Sequence, residues 1–244
     1  NWIECVRRAS GYYGKILFSD DMLLPGCISK MVLGFRQYDQ VAVVSSAALI
    51  GNNLHEAIVK FSKTRRLISR KEYIESLVTN SSPVSPGAMM FKLTDLRKNI
   101  ILTPPSYSEA DFVGHGAGPD VLLILLSIGS SGLLLSIKEP LNFFRSHEGS
   151  FTDGIRKREV HDAYRKVLVK FLDDEYGTAM SIRYLTVEYL KDKLRRYPLI
   201  SIDVFFQKYY GVNYKRLNIL YLLSQLVFAL AGLSLNRILS LVRK

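Results

Sequence analysis

KILFSDD, residues Lys15 to Asp21, sets an apolar triplet, Ile16-Leu17-Phe18, directly against two carboxylates. An apolar run of this length reads as a buried strand with acid at its C-terminal end. Burying two neighbouring carboxylates carries a penalty of several kcal/mol unless a cation is close by. In open α/β sheets, ligands bind outside the carboxyl ends of the strands. Asp20 and Asp21 are therefore candidate ligands for a hard divalent ion, Mg²⁺ or Mn²⁺, which takes oxygen donors from one or two carboxylates and from substrate phosphates. A plainer alternative stands beside this one, in which Asp21 caps the next helix and Asp20 is solvated in a turn.

Working outward, Pro25-Gly26 opens a helix running to about Gly34, and Val41 to Val44 is a second buried strand. Amphipathic spacing predicts helices over Leu54–Phe61 and Lys71–Val78, separated by the basic cluster Lys63-Thr64-Arg65-Arg66. Ser81 to Gly87 is a loop by composition, and Ala88 to Phe91 a strand. After a loop-rich stretch from Thr103 to Pro119, Asp120 stands as the N-cap of an apolar helix, Val121–Ile128, that Gly129 and Gly132 end. Leu133–Ile137 is a further buried strand. Beyond it Arg145 and His147 are two residues apart, which in extended geometry puts both on one face. Arginine clamps phosphate oxygens, and neutral histidine ligates metals. From Thr152 onward only helical patterning follows, rich in Lys, Arg and Tyr. The expected fold class is α/β, a mixed Rossmann-like sheet flanked by helices over residues 1–153, then an all-helical basic extension over 154–244.

The 244 residues are 48% hydrophobic and 23% charged, which excludes a disordered chain. Cys5 and Cys27 can build neither a disulfide framework nor a structural zinc site, which fits a reducing, cytoplasmic setting. The net charge of +11 is uneven, with +3 over residues 1–150 and +8 over residues 151–244. A basic segment faces nucleic acid or an anionic membrane. The absence of any RNP-type, helix-turn-helix or zinc pattern argues against nucleic acid. The last apolar segment, Leu217–Leu235, approaches the roughly 20 residues that span a bilayer. Asn218, Ser224, Gln225 and Ser234 interrupt it, so it is expected to lie in the membrane interface or on the protein. The expected location is cytoplasmic, peripheral at the inner face of the cell membrane.

Taken in this order, the segments resemble the C-terminal portion of a family 2 glycosyltransferase of the GT-A fold, over roughly residues 1 to 153. KILFSDDMLLPGCISKMV is similar to the family's strand, DXD-type motif and following helix. SPVSPGAMMFK is similar to its acceptor-side segment, GPDVLLILLSIGSSG to its catalytic-carboxylate helix, and LLLSIKEPLNFFRSHEGSFT to its terminal strand and Arg-x-His element. The resemblance implies inverting transfer of a sugar from a nucleotide-diphosphate sugar to a hydroxyl of a saccharide or lipid-linked acceptor, in assembly of a cell-surface polysaccharide. Asp21 would hold Mn²⁺ or Mg²⁺, with Asp20 beside it on the ribose or the ion's waters. Asp120 would be the general base; His147 would complete the metal or diphosphate site, and Arg145 would position phosphate. The chain departs from the family at Pro119, where an acid commonly precedes the base. The resemblance also implies that the nucleotide-binding half precedes Trp2, so this chain alone is expected not to turn over. The alternative from another class is a non-catalytic, membrane-associated interaction module with a degenerate α/β core.

Overall fold

The computed structural model describes residues 2–62, 67–79, 81–112, 116–147, 157–194, 200–211 and 224. They fall into two compact units, Asn1–Leu102 with Pro119–Arg158, and Thr103–Gly118 with Glu159–Lys244.

The first unit is the α/β part. In chain order it holds α1 (Trp2–Arg8), β1 (Tyr13–Gly14), β2 (Met22–Leu23), α2 (Cys27–Gln37), β3 (Val41–Gly51), β4 (Ile58–Lys60), β5 (Leu67–Ser69) and α3 (Arg70–Val78). A 3-10 turn (Pro86–Ala88), β6 (Met89–Lys92), α4 (Leu93–Asn99), α5 (Pro119–Ile128) and β7 (Leu133–Arg145) follow. The sheet runs β1-β6-β3-β7-β2, with β4 on β3 and β5 on β7. Only β3 and β7 pair in parallel; the other ladders are antiparallel. The class is α/β with a mixed sheet flanked by helices, as expected.

Burial explains the pairing. Val41, Val43, Val44, Ala47 and Ala48 on β3 and Leu134 and Leu135 on β7 are buried, as a strand covered on both faces requires. On one face, Cys27, Met31 and Phe35 of α2 pack against Val44, Met90 and Leu135. Met89 and Met90 are core residues, and Tyr13 stacks on Phe35 with ring centroids 4.5 Å apart.

Several elements differ from the sequence reading. Lys15–Phe18 is no buried strand: these residues join no ladder, and Leu17 is 50% exposed. β1 and β2 lie at opposite edges of the sheet, so residues 15–21 carry the chain across the strands rather than along them. The crossing spans four strand spacings, about 19 Å, and it closes in a turn in which the Asp21 amide donates to Phe18 O at 3.2 Å. Helix α2 continues past Gly34 to Gln37. Gly34 is there for close approach, since a Cβ would lie 2.6 Å from Leu135 Cδ2 and 3.2 Å from Val44 Cγ2. No helix forms over Leu54–Phe61. The Asn53 side chain instead accepts from the His55 and Glu56 amides, an alternative to helical bonding, and Ile58–Lys60 adds to β3 as β4. The second expected helix is α3, opened by a reciprocal Ser69–Glu72 capping box. Asp120 is not an N-cap. α5 begins at Pro119, the favoured first-turn position for proline, and Asp120 is already inside the helix.

The second unit is helical: α6 (Lys157–Tyr176), α7 (Thr178–Leu194) and α8 (Ile202–Tyr210). Gly177, at φ 83°, makes the turn between α6 and α7. A buried ion network ties the three helices. Arg165 of α6 donates to Glu188 Oε2 at 2.9 Å and to both Asp192 oxygens at 2.7 Å on α7, and to the Tyr209 hydroxyl on α8 at 3.3 Å. Lys191 also pairs with Glu188, and Lys208 and Tyr209 reach Asp162. No helix among the described residues is long and apolar enough to cross a membrane. The basic cluster 63–66 and the apolar segment 217–235, apart from Ser224, lie outside the described residues.

Candidate functional site

The parallel pair β3–β7 ends with Gly51 opposite Arg145, and the Ser146 amide donates to Gly51 O at 2.9 Å. At that carboxyl end β2 lies antiparallel on β7, with Met22 opposite Phe143 and Leu23 opposite Asn142. The register brings residues 20 and 21, just before β2, to residues 145–147, just after the last paired positions of β7. The acids thus occupy the expected place in the sheet by a different route: they precede a short edge strand instead of ending a buried one.

Two contacts assemble the group. The Arg145 backbone N–H donates to Asp21 Oδ1 at 3.2 Å. His147 Nε2 lies 3.5 Å from Asp20 Oδ2, an ion pair when the imidazole is protonated. What Arg145 gives Asp21 is its amide, and its side chain is exposed. Burial pushes the Asp21 carboxyl up to about 6, and Asp20 pushes the same way, against the Arg145 amide and the Lys15 ammonium. The folded chain therefore holds Asp21 where its negative charge is under-compensated.

Lys15 is the residue that the motif reading passed over. Its ammonium donates to Gly87 O at 2.5 Å and lies 3.5 Å from Met89 O. Burial pushes it down to about 8, opposed by Cys27 and Asp21. Three residues on, Phe18 covers Gly87, where a Cβ would come within 3.1 Å of the ring, and Trp2 packs on Phe18 with ring centroids 5.8 Å apart. The crossing segment is thus fixed on the 85–89 turn at two points. A lone lysine heading an apolar run that ends in acids was the available signal.

Asp120 has a different setting. It is buried, and its Oδ1 accepts from the Val121 amide at 2.8 Å. α5 packs on the Pro86–Ala88 turn, on β3 and on α4. The charge of Asp120 reaches Tyr73, whose hydroxyl is held well above its ordinary range, first by burial and then by Asp120. That hydroxyl donates to Pro83 O at 2.8 Å. Segment 83–89 therefore has Tyr73 on Pro83, and α5, Lys15 and Phe18 against its Pro86–Met89 part.

Two carboxylates and one imidazole supply the donor chemistry of a hard divalent ion, and the under-compensated charge of Asp21 fits such an ion. Among the described residues no three His, Cys, Asp or Glu side chains converge as a metal-binding group. No protein-family model matches this chain, and no curated protein matches it.

Proposed function

We propose that the chain carries the metal- and diphosphate-binding side of an inverting glycosyltransferase of the GT-A type, acting on a nucleotide-diphosphate sugar and a hydroxyl acceptor. The observation that carries the reading is the Asp21 carboxylate, desolvated beside Asp20 at the carboxyl end of the parallel strands, with His147 within reach. In this reading Asp21 and His147 would hold Mn²⁺ or Mg²⁺, with Asp20 beside them on the ribose or the ion's waters. When bound, that ion neutralises the charge developing on the leaving diphosphate. The Arg145 amide fixes the Asp21 carboxylate through Oδ1. Asp120, on a different element, takes the proton of the attacking hydroxyl as general base. The excess charge of residues 151–244 supports peripheral docking on an anionic lipid surface at the inner face of the cell membrane, where a lipid-linked or saccharide acceptor for surface polysaccharide assembly is found.

The test is binding rather than turnover. Water-proton relaxation with Mn²⁺ and inorganic pyrophosphate should show a saturable site that Asp21→Asn and His147→Ala weaken by about tenfold or more, while Asp120→Asn leaves it unchanged. A wild-type chain that binds neither Mn²⁺ nor its pyrophosphate complex would end this reading.

A further inference from the structure

A cleft between α2 and β7 is lined by none of the residues of the acid site and encloses about 360 Å³, within the range of small-molecule sites. Two features open it. Gly34 brings α2 onto β7, where a Cβ would lie 2.6 Å from Leu135 Cδ2. Just beyond that contact β7 departs from its register with β3. Ile137 is opposite Ser46 and Pro140 is opposite Ala47, so Lys138 and Glu139 bulge out with no partner on β3. The bulge falls in a gap of the sheet edge, since β5 covers Leu133 to Leu135 and β2 covers Asn142 and Phe143. Leu33, Gly34, Leu135 and Ile137 give the cleft apolar walls, and Lys30 and Lys138 line it as well. Lys30 donates to both oxygens of Glu139, at 2.5 and 2.6 Å. No carboxylate among the described residues pairs with Lys138. Two lysines and one acid therefore leave this place with one positive charge in excess.

We propose that the cleft between α2 and the β7 bulge binds an aliphatic carboxylate, with its hydrocarbon body on Leu33, Leu135 and Ile137 and its head group at Lys138. The site is independent of the metal-dependent reading above. Apolar walls beside a single uncompensated ammonium are complementary to a monoanion that carries a hydrocarbon chain. A neutral chain gains nothing from Lys138, and a phosphate dianion brings more charge than the cleft balances. Lys30 engages Glu139, the acid next to Lys138 in sequence, and so keeps it from taking the place of the ligand's carboxylate. An added peptide strand suits the gap less well, because the two-residue bulge interrupts the ladder that such a strand needs.

Ligand-observed NMR titrations of the full chain at pH 7.5 test this, with octanoate, octanol and octyltrimethylammonium below their micelle concentrations. Octanoate should bind saturably and about fivefold more tightly than octanol, and the cation should not compete with it. Lys138→Glu should weaken octanoate about fivefold and leave octanol unchanged. Lys98→Glu, on α4 and outside the cleft, should alter neither. Leu33→Asp, at a position already half exposed, should remove binding of both ligands, and Leu33→Ser serves if Leu33→Asp fails to fold. A wild-type chain that shows no saturable binding, or that binds octanoate no better than octanol, overturns the proposal. Equal losses from Lys138→Glu and Lys98→Glu overturn it too. If Lys138→Glu and Leu33→Asp change only the mass of the chain in sedimentation equilibrium, a second copy covers the cleft and the proposal falls.

Discussion

Replacing Asp21 with asparagine should stabilise this protein at neutral pH, although it removes a residue from the candidate site. Its carboxyl sits at about 6 in the fold against an ordinary 3.8. For an acid whose folded value is raised, the folded chain holds more protons than the unfolded chain through that window. Stability therefore falls as pH rises from about 4 to about 6, and the whole penalty is present above 6. The displacement from 3.8 to about 6 corresponds to about 3 kcal/mol. Half-exposure to solvent screens it, which brings the expected effect to about 1 to 1.5 kcal/mol. Asparagine keeps an Oδ1 to accept the Arg145 amide, now at 3.2 Å, and carries no charge to desolvate. Urea denaturation followed by far-UV circular dichroism should find Asp21→Asn more stable than wild type by about 1 kcal/mol at pH 7.5, with the difference gone near pH 4. Millimolar Mn²⁺ should stabilise wild type and leave the variant unmoved. A variant no more stable than wild type at pH 7.5, or one that Mn²⁺ protects equally, would refute the reasoning.

Glu188→Gln leaves the buried Arg165 and Lys191 short of a counter-charge and should lower stability by about 3 kcal/mol at pH 7 in thermal melts of the helical signal. Burial pushes Glu188 up, but Lys191 and Arg165 outweigh it and hold the carboxyl at about 2. Its stabilisation is complete above the ordinary 4.5 and is lost progressively as pH falls from there to about 2, so the gap between wild type and variant should narrow over that range. Gly132→Ala would place a Cβ 2.2 Å from the Ile128 carbonyl oxygen and 3.0 Å from Ala42 Cβ. Shifting the junction between α5 and β7 to relieve this should lower stability by about 2 kcal/mol, and a denaturation midpoint equal to wild type would contradict it.

The parts of the fold that were legible in the sequence are those whose burial decides their structure. Val41–Val44, Met89–Phe91 and Leu133–Ile137 are apolar because β3, β6 and β7 are covered, and the pattern says so without context. Ser69 and Glu72 announce α3 through a cap that is purely local. Two of the misreadings, Ile16–Phe18 and Leu54–Phe61, involve strands distant in sequence. Ile16-Leu17-Phe18 has the composition of a strand, but its ends belong to opposite edges of the sheet, and no residue within the segment records that. Leu54–Phe61 has helical spacing, yet the Asn53 carbonyl takes the amides a helix would need, and β3 offers an edge. At the site, the motif pointed to the Arg145 side chain, whereas the contact made is through its backbone, which no sequence motif encodes.

The crossing segment explains why two acids can stand together at all. A carboxylate in a regular strand alternates faces with its neighbour, so Asp20 and Asp21 in an unbroken strand would point apart and only one would reach a ligand. Where the chain turns between the crossing and β2, that alternation is broken. Asp20 then faces His147 and Asp21 faces the Arg145 amide, both on the same strand end. The acids are flanked by Phe18, packed against Gly87, upstream and by the Met22–Phe143 and Leu23–Asn142 pairs downstream. Within the fold the Lys15 ammonium opposes the rise at Asp21, and burial outweighs it.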